Sequence, residues 1–257
     1  MDVDGLVVHD GDLAAALGRL VRNQAGDWFE PELPLAEPGG RPRRVRPVSP
    51  FAIRSAGADF DDLAGHFEDD GMVEGFARVT GIWSGDQLQV QRQGVPKGIA
   101  IFPPLWIIPP CPAPVGGWPR HRDNLRVSLD DLLDTGAAVA VTVFRPGPDQ
   151  EVLVVAATDP DTVEARLRPQ LGQRFCVVAS RWPTEELDAV RAHLHARQRA
   201  WNLFQLGQST GEDGQARIAA KLTRVLPEIA VWATSLPAGI MSLDPWLRPV
   251  HPRPSDP

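Results

Sequence analysis

The sequence predicts an α+β protein: a C-terminal sheet with helices on one face, preceded by a proline-rich N-terminal part that contains a β-hairpin. The main observation is a strand-helix-strand pattern that occurs twice between residues 150 and 250. The first copy starts at the apolar run 152–157 and ends at 175–178. The second starts at 218–222 and ends at 240–243. Two linked βαβ units are the expected fold for this pattern.

The two copies also predict individual elements. We expect strands near 152–157, 175–180, 216–223 and 240–244 in one sheet, and helices near 160–168, 184–200 and 227–236. A strand pattern at 137–144 should pair with the first of these strands through a turn at 146–149. The helix that starts at Thr184 is well specified, because acidic residues begin it and arginines end it. Trp232 falls on the apolar stripe of the last helix, so we expect it in the core.

A hairpin pattern is the second observation. Apolar residues alternate with other residues at 76–82 and 88–90, on either side of a glycine-containing turn at 84–86. A short helix is predicted over 61–67. A longer helix near the N-terminus is predicted by apolar residues at helical spacing, namely Leu13, Leu17, Leu20 and Val21.

Proline and glycine content is the third observation. The chain has 26 prolines and 23 glycines, and they concentrate between residues 31 and 120. Much of this part should therefore consist of turns and extended segments. We divide the chain into a first part at 1–71, a hairpin and loop part at 72–134 and a sheet domain at 135–257, or treat all three as one compact unit.

The charge balance limits the classes of partner. The 257 residues carry a net charge of −7, which argues against a broad nucleic-acid surface. No apolar stretch approaches the roughly 20 residues that a membrane helix needs. The acidic start lacks the basic residues of a signal peptide, so the sequence favours the cytoplasm. Export is the alternative, if a leader is missing from this chain.

The segment at 95–119 is both apolar and rich in proline. Proline cannot donate to a sheet ladder, so this segment should be a structured loop. One interpretation is a lid over the core of the same chain. The other is a pocket wall or partner surface between this loop and the hairpin, and its predicted border is Trp83, Trp106, Trp118, Arg120 and His121.

Three stretches resemble a group of uncharacterised actinobacterial proteins. They are 79–90, with the sequence VTGIWSGDQLQV, then PCP at 110–112 with GGW at 116–118, then FCVV at 175–178 with TEEL at 184–187. The resemblance spans about residues 75–250. Several members of the group are predicted lipoproteins or exported proteins. The resemblance therefore implies a shared fold and an envelope setting, but no activity.

Residues that could carry chemistry are few. Cys111 and Cys176 are the only cysteines, and they are either two buried thiols or a bridge between the proline-rich loop and the sheet. His193 and His195 point about 200° apart on a helix, so they cannot share a metal ion. We expect no metal site and no cofactor.

The predicted function follows from the lack of a catalytic motif. No Gly-x-Ser-x-Gly motif and no lysine-containing phosphate loop occurs. We therefore predict a non-enzymatic binding or interaction protein whose partner is a protein or a small-molecule ligand. The alternative is a small-molecule hydrolase or transferase with its site under the tryptophan-rich loop.

Overall fold

A computed structural model describes residues 3–31, 47–96, 107–120 and 127–250. The strands of the N-terminal half are β1 (Leu13–Asn23), β2 (Gly26–Glu30), β3 (Ile53–Ala56), β4 (Ala64–Asp69), β5 (Met72–Ser84) and β6 (Gln87–Gly94). The later strands are β7 (Ala138–Gly147), β8 (Gln150–Ala157), β9 (Phe175–Ala179), β10 (Leu203–Thr210), β11 (Ala216–Leu222), β12 (Met241–Pro245) and β13 (Arg248–Pro249). The helices are α1 (Asp130–Asp134), α2 (Pro160–Leu171), α3 (Thr184–Ala196) and α4 (Pro227–Thr234). The architecture is α+β and rich in sheet.

The N-terminal strands form a closed barrel. The strand order β1-β2-β3-β6-β5 returns to β1, because β1 and β5 pair over ten residues from Leu13↔Ile82 to Arg22↔Val73. Only the β3–β6 pair is parallel in this ring. β4 extends the edge of β5, and β13 extends the edge of β1. Closure leaves few unpaired strand edges, and the enclosed core includes Ala14, Leu20 and Phe29.

The hairpin prediction is confirmed, and both N-terminal helix predictions are wrong. β5 and β6 pair from Ser84↔Gln87 onward, around the predicted turn. The stripe at 13–21 belongs to strand β1, and the segment at 61–67 overlaps strand β4. Intermediate and buried residues alternate from Leu13 to Gly18, and the next three residues are all buried, so both faces of β1 are largely covered. The helical spacing of its large apolar residues is therefore fortuitous.

The predicted boundary between residues 71 and 72 falls in the turn between β4 and β5. These two strands pair from Asp69↔Met72 to Ala64↔Phe76, and both belong to the barrel sheet. The predicted boundary at 134 and 135 falls between α1 and β7.

The C-terminal strands and helices lie where the repeated pattern predicts them. Strands β8, β9, β11 and β12 and helices α2, α3 and α4 overlap the predicted ranges. The predicted hairpin of β7 with β8 is also confirmed. β8 and β9 are parallel with α2 between them in sequence, and β11 and β12 are parallel with α4 between them.

The prediction of one continuous C-terminal sheet is wrong. The strands form two three-stranded sheets, β7-β8-β9 and β10-β11-β12. β10, which the sequence pattern did not reveal, pairs with β11 and makes it the centre of its own sheet. The sheets meet through side chains instead of a shared ladder. Gln208 Nε2 donates to the carbonyl of Val139 at 2.7 Å, and one apolar cluster contains Val139, Ala156, Ile218 and Leu194.

Both faces of the first small sheet are covered. Val163 and Leu167 of α2 pack on one face, against Val155 and neighbouring residues. The opposite face, with Val152 and Val154, is covered by part of the segment at 107–120. This double burial explains why 152–157 is a continuous apolar run, since all six residues are buried.

Candidate binding groove beneath the disulfide loop

The segment at 107–120, called the disulfide loop below, is fastened to the first small sheet at two points. Cys111 is bonded to Cys176 of β9, with the two Cα atoms 6.3 Å apart. Gln150 Nε2 of β8 donates a hydrogen bond to the carbonyl of Trp118 at 2.8 Å. The loop also contains five prolines among its 14 residues, at positions 109, 110, 112, 114 and 119. The disulfide, the hydrogen bond and the fixed φ angles of the prolines therefore all restrain the loop.

The disulfide loop has one inner and one outer side. Cys111 and Trp118 pack against the buried cluster of the sheet. In contrast, Ile107, Ile108 and Val115 are 62%, 81% and 104% exposed. The outer side of the loop therefore carries three exposed apolar side chains.

A groove lies where the loop meets α2 and β9. Its volume is about 290 Å³. The loop contributes the disulfide, Pro114 and Trp118, and the opposite wall consists of Glu164, Arg168 and Phe175. Trp118 is half-buried and so presents part of its indole to this space.

The charges of the groove are paired. Arg168 and Glu164 lie one helical turn apart on α2 and form an ion pair. The Arg168 guanidinium also lies 5.6 Å from the centre of the Phe175 ring. The groove thus offers an apolar wall with Trp118 and a polar rim with little net charge.

The structure brings together only part of the predicted site. Trp118 lines the groove, and Arg120 is exposed near the end of the loop. Trp106 and His121 lie outside the described residues. Trp83 is buried in the barrel core and is not a groove residue, because its strand β5 turns that side chain into the barrel cluster. The predicted border that includes Trp83 is therefore not the border of this groove.

Trp83 instead contacts a half-buried cation. The Arg224 guanidinium lies 4.9 Å from its ring centre, and Arg224 Nη1 donates to the carbonyl of Val8 at 3.4 Å. Burial lowers the pKa of Arg224, and the charges of Asp10 and Glu228 partly offset this effect. The contact joins the barrel to the second small sheet and has a structural role.

Sequence reasoning did not identify the α2 side of the groove. Glu164 and Arg168 have the spacing of an ordinary surface ion pair, and nothing in the sequence shows that the loop folds beside them.

Across 3–31, 47–96, 107–120 and 127–250, no three His, Cys, Asp or Glu residues are grouped so as to hold a metal ion. No helix in these ranges is long and apolar enough to cross a membrane. No family model, curated protein or solved structure matches the chain.

Proposed function

We propose that this protein is a non-enzymatic binding protein whose partner docks on the disulfide loop. The proposal rests on two properties of the disulfide loop: its conformation is restrained, and three of its apolar side chains are exposed. The loop is fixed by Cys111–Cys176 and by Gln150, yet it keeps Ile107, Ile108 and Val115 in solvent. A restrained apolar surface loses little conformational entropy on binding.

The groove next to this surface supports a protein or peptide partner. Tryptophans in partly buried positions are frequent energetic centres of interfaces. Trp118 belongs to the same loop as the exposed apolar residues and borders a cavity large enough for one inserted side chain. The proposed scaffold is the pair of linked βαβ units, which the parallel pairs β8–β9 and β11–β12 support.

We also propose that the protein acts in an oxidising compartment. Disulfides persist outside the cytoplasm and are rare inside it. The Cys111–Cys176 bond supports export, as does the resemblance to a group with exported members. Cytoplasmic localisation is the competing proposal, and in that case both thiols would be reduced in the cell. Rapid alkylation of thiols followed by mass spectrometry of the protein from its native cells separates the two.

The enzymatic alternative rests on Glu164, a carboxylate at the edge of the groove. A hydrolase or transferase would need this group, or another lining residue, as an acid or base. Its ion pair with Arg168 favours a structural role. If the protein bound no peptide through the disulfide loop but had a hydrolytic activity that Glu164→Gln removed, the enzymatic function would replace our proposal.

A peptide-display selection on the immobilised protein tests the proposed function. We expect selected peptides with aromatic or aliphatic anchors whose binding is lost in Trp118→Ala and weakened in Ile108→Ser. Ile108 is 81% exposed, so its replacement cannot unfold the protein by opening the core. Val231→Ser serves as the matched control, because Val231 is 71% exposed on helix α4, far along the chain from the loop.

Two results would contradict the proposal. One is a failure to select any peptide whose binding depends on Ile108. The other is equal loss of binding in Ile108→Ser and Val231→Ser. Thermal melts of each variant distinguish loss of binding from loss of folding.

A further inference from the structure

A second cavity lies between the barrel and the second small sheet. Its volume is about 260 Å³, and it shares no lining residue with the groove beneath the disulfide loop. Its walls include Leu17, Phe204, Lys221, Asp244, Trp246 and Arg248. Cavities at the junction of two structural units are common places for small-molecule sites.

The apolar walls of this cavity are held in place by the fold. Trp246 Nε1 donates to the carbonyl of Leu17 at 2.7 Å, and its ring centre lies 4.5 Å from that of Phe29. On the opposite wall, the ring of Phe204 lies 6.1 Å from that of Phe51. Both aromatic walls are therefore positioned before any ligand arrives, which lowers the entropic cost of binding.

The charges of the cavity leave one positive group without compensation. Lys221 and Asp244 are direct partners in the parallel register of β11 and β12. Asp244 nevertheless forms its ion pair with Arg248. Lys221 is half-buried, and among the residues that the structure describes its amine has neither an ion-pair nor a hydrogen-bond partner. An ammonium group in this position attracts an anion.

We infer that this cavity binds a small aromatic monocarboxylate. The Lys221 ammonium holds the carboxylate, and the flat body of the ligand lies against Trp246 and Phe204. A phosphate ester fits less well, because the Arg248 guanidinium is already paired with the Asp244 carboxylate, and this carboxylate repels a second negative charge. A neutral aromatic compound gains the apolar contacts but leaves the ammonium unpaired.

Naphthalene-2-carboxylate is the probe that tests this inference. Ligand-observed NMR and a titration should show binding to the wild type. Replacing Lys221 by Met should weaken it about tenfold or more, the size of one lost charge-assisted hydrogen bond. Lys97→Met is the matched control, since Lys97 is the only other lysine in the chain. The carboxamide and 2-naphthyl phosphate should both bind more weakly than the carboxylate.

Amine acylation gives a second measurement that needs no variant. With two lysines in the chain, mass spectrometry reads each one separately. Naphthalene-2-carboxylate should protect Lys221 from acylation without changing the acylation of Lys97. The inference is overturned if the carboxylate does not bind, if Lys221→Met binds it as well as the wild type, or if the amide or the phosphate binds as tightly.

Discussion

His193 of α3 lies flat against Trp232 of α4, with ring centres 4.2 Å apart and ring planes 5° apart. Trp201 completes the cluster at 5.6 Å from His193 and 5.4 Å from Trp232. Arg197 Nη1 lies 3.3 Å from His193 Nδ1. Because a guanidinium can only donate, this contact requires a ring nitrogen without a proton. Burial, and secondly the charge of Arg197, lower the pKa of His193.

The first prediction is that the protein loses stability in mild acid through His193. The folded state binds a proton at this imidazole less readily than the unfolded chain, whose histidines titrate near pH 6.5. The free energy of unfolding therefore falls as the pH drops below about 6.5. Melting temperatures between pH 5 and 8 should show a smaller acid loss in His193→Gln. His195→Gln, at an exposed position on the same helix, controls for the replacement of a histidine as such.

The second prediction concerns Trp232, which packs against the C-terminal core but is only partly buried. The expectation of a core position is therefore met in part. Trp232→Ala should cost about 2–3 kcal/mol, below the roughly 3–5 kcal/mol of a fully buried tryptophan. Val231→Ala, at an exposed neighbouring position, should change stability by less than about 0.5 kcal/mol. Equal urea midpoints for the two variants would refute this difference.

The third prediction concerns a buried charge cluster beside the barrel strands. Arg19 bonds to Glu74 at 2.9 Å and pairs with Glu30, and all three residues are at most 2% exposed. Arg19→Met leaves two buried carboxylates without their counter-ion, and it should cost about 3–5 kcal/mol in urea unfolding.

Arg22 offers a control on the same strand. Its pair with Asp27 is solvent-accessible, so Arg22→Met should cost no more than about 1 kcal/mol. A similar cost for both arginine variants would show that burial does not strengthen the Arg19 cluster.

The fourth prediction compares two glycines in strands. A Cβ atom at Gly18 of β1 would lie 2.2 Å from the Glu30 carbonyl oxygen and 2.8 Å from Trp246. Backbone cannot move aside cheaply there, so Gly18→Ala should destabilise by about 1–3 kcal/mol through overpacking. Gly207→Ala in β10 meets no atom within 4 Å and should be neutral or slightly stabilising. If Gly18→Ala melts at the wild-type temperature, the close approach of β2 at this point is incorrect.

The C-terminal elements were predictable because their signals are local. Asp159 is the N-cap of helix α2, and its side chain accepts a hydrogen bond from the Thr162 amide at 3.1 Å. Pro160 follows as the first residue of the helix. Helix α4 likewise starts at Pro227. Such caps are encoded in adjacent residues, so the sequence shows them without knowledge of the rest of the chain.

The barrel and the groove depend on contacts between distant residues and were not predictable in the same way. The helical spacing in strand β1 is a coincidence that closure permits, since both faces of the strand are covered and can carry apolar residues. Strand β10 alternates weakly, since Gln205 and Gln208 occur among its apolar residues. Arg168 borders a groove only because the disulfide loop folds beside helix α2. Pairing across long separations carries no periodic signal in a single sequence.

The link between Trp246 and β1 also determines when the packing around the barrel is complete. Trp246 donates to Leu17 across 229 positions, and β13 pairs with β1 just beyond it. During synthesis, β1 to β6 leave the ribosome long before Trp246, a half-buried ring that packs against their core, has been made. Contacts of such long range slow folding and leave strands open to wrong partners. The packing of the N-terminal barrel is therefore finished only after the C-terminal half has been made.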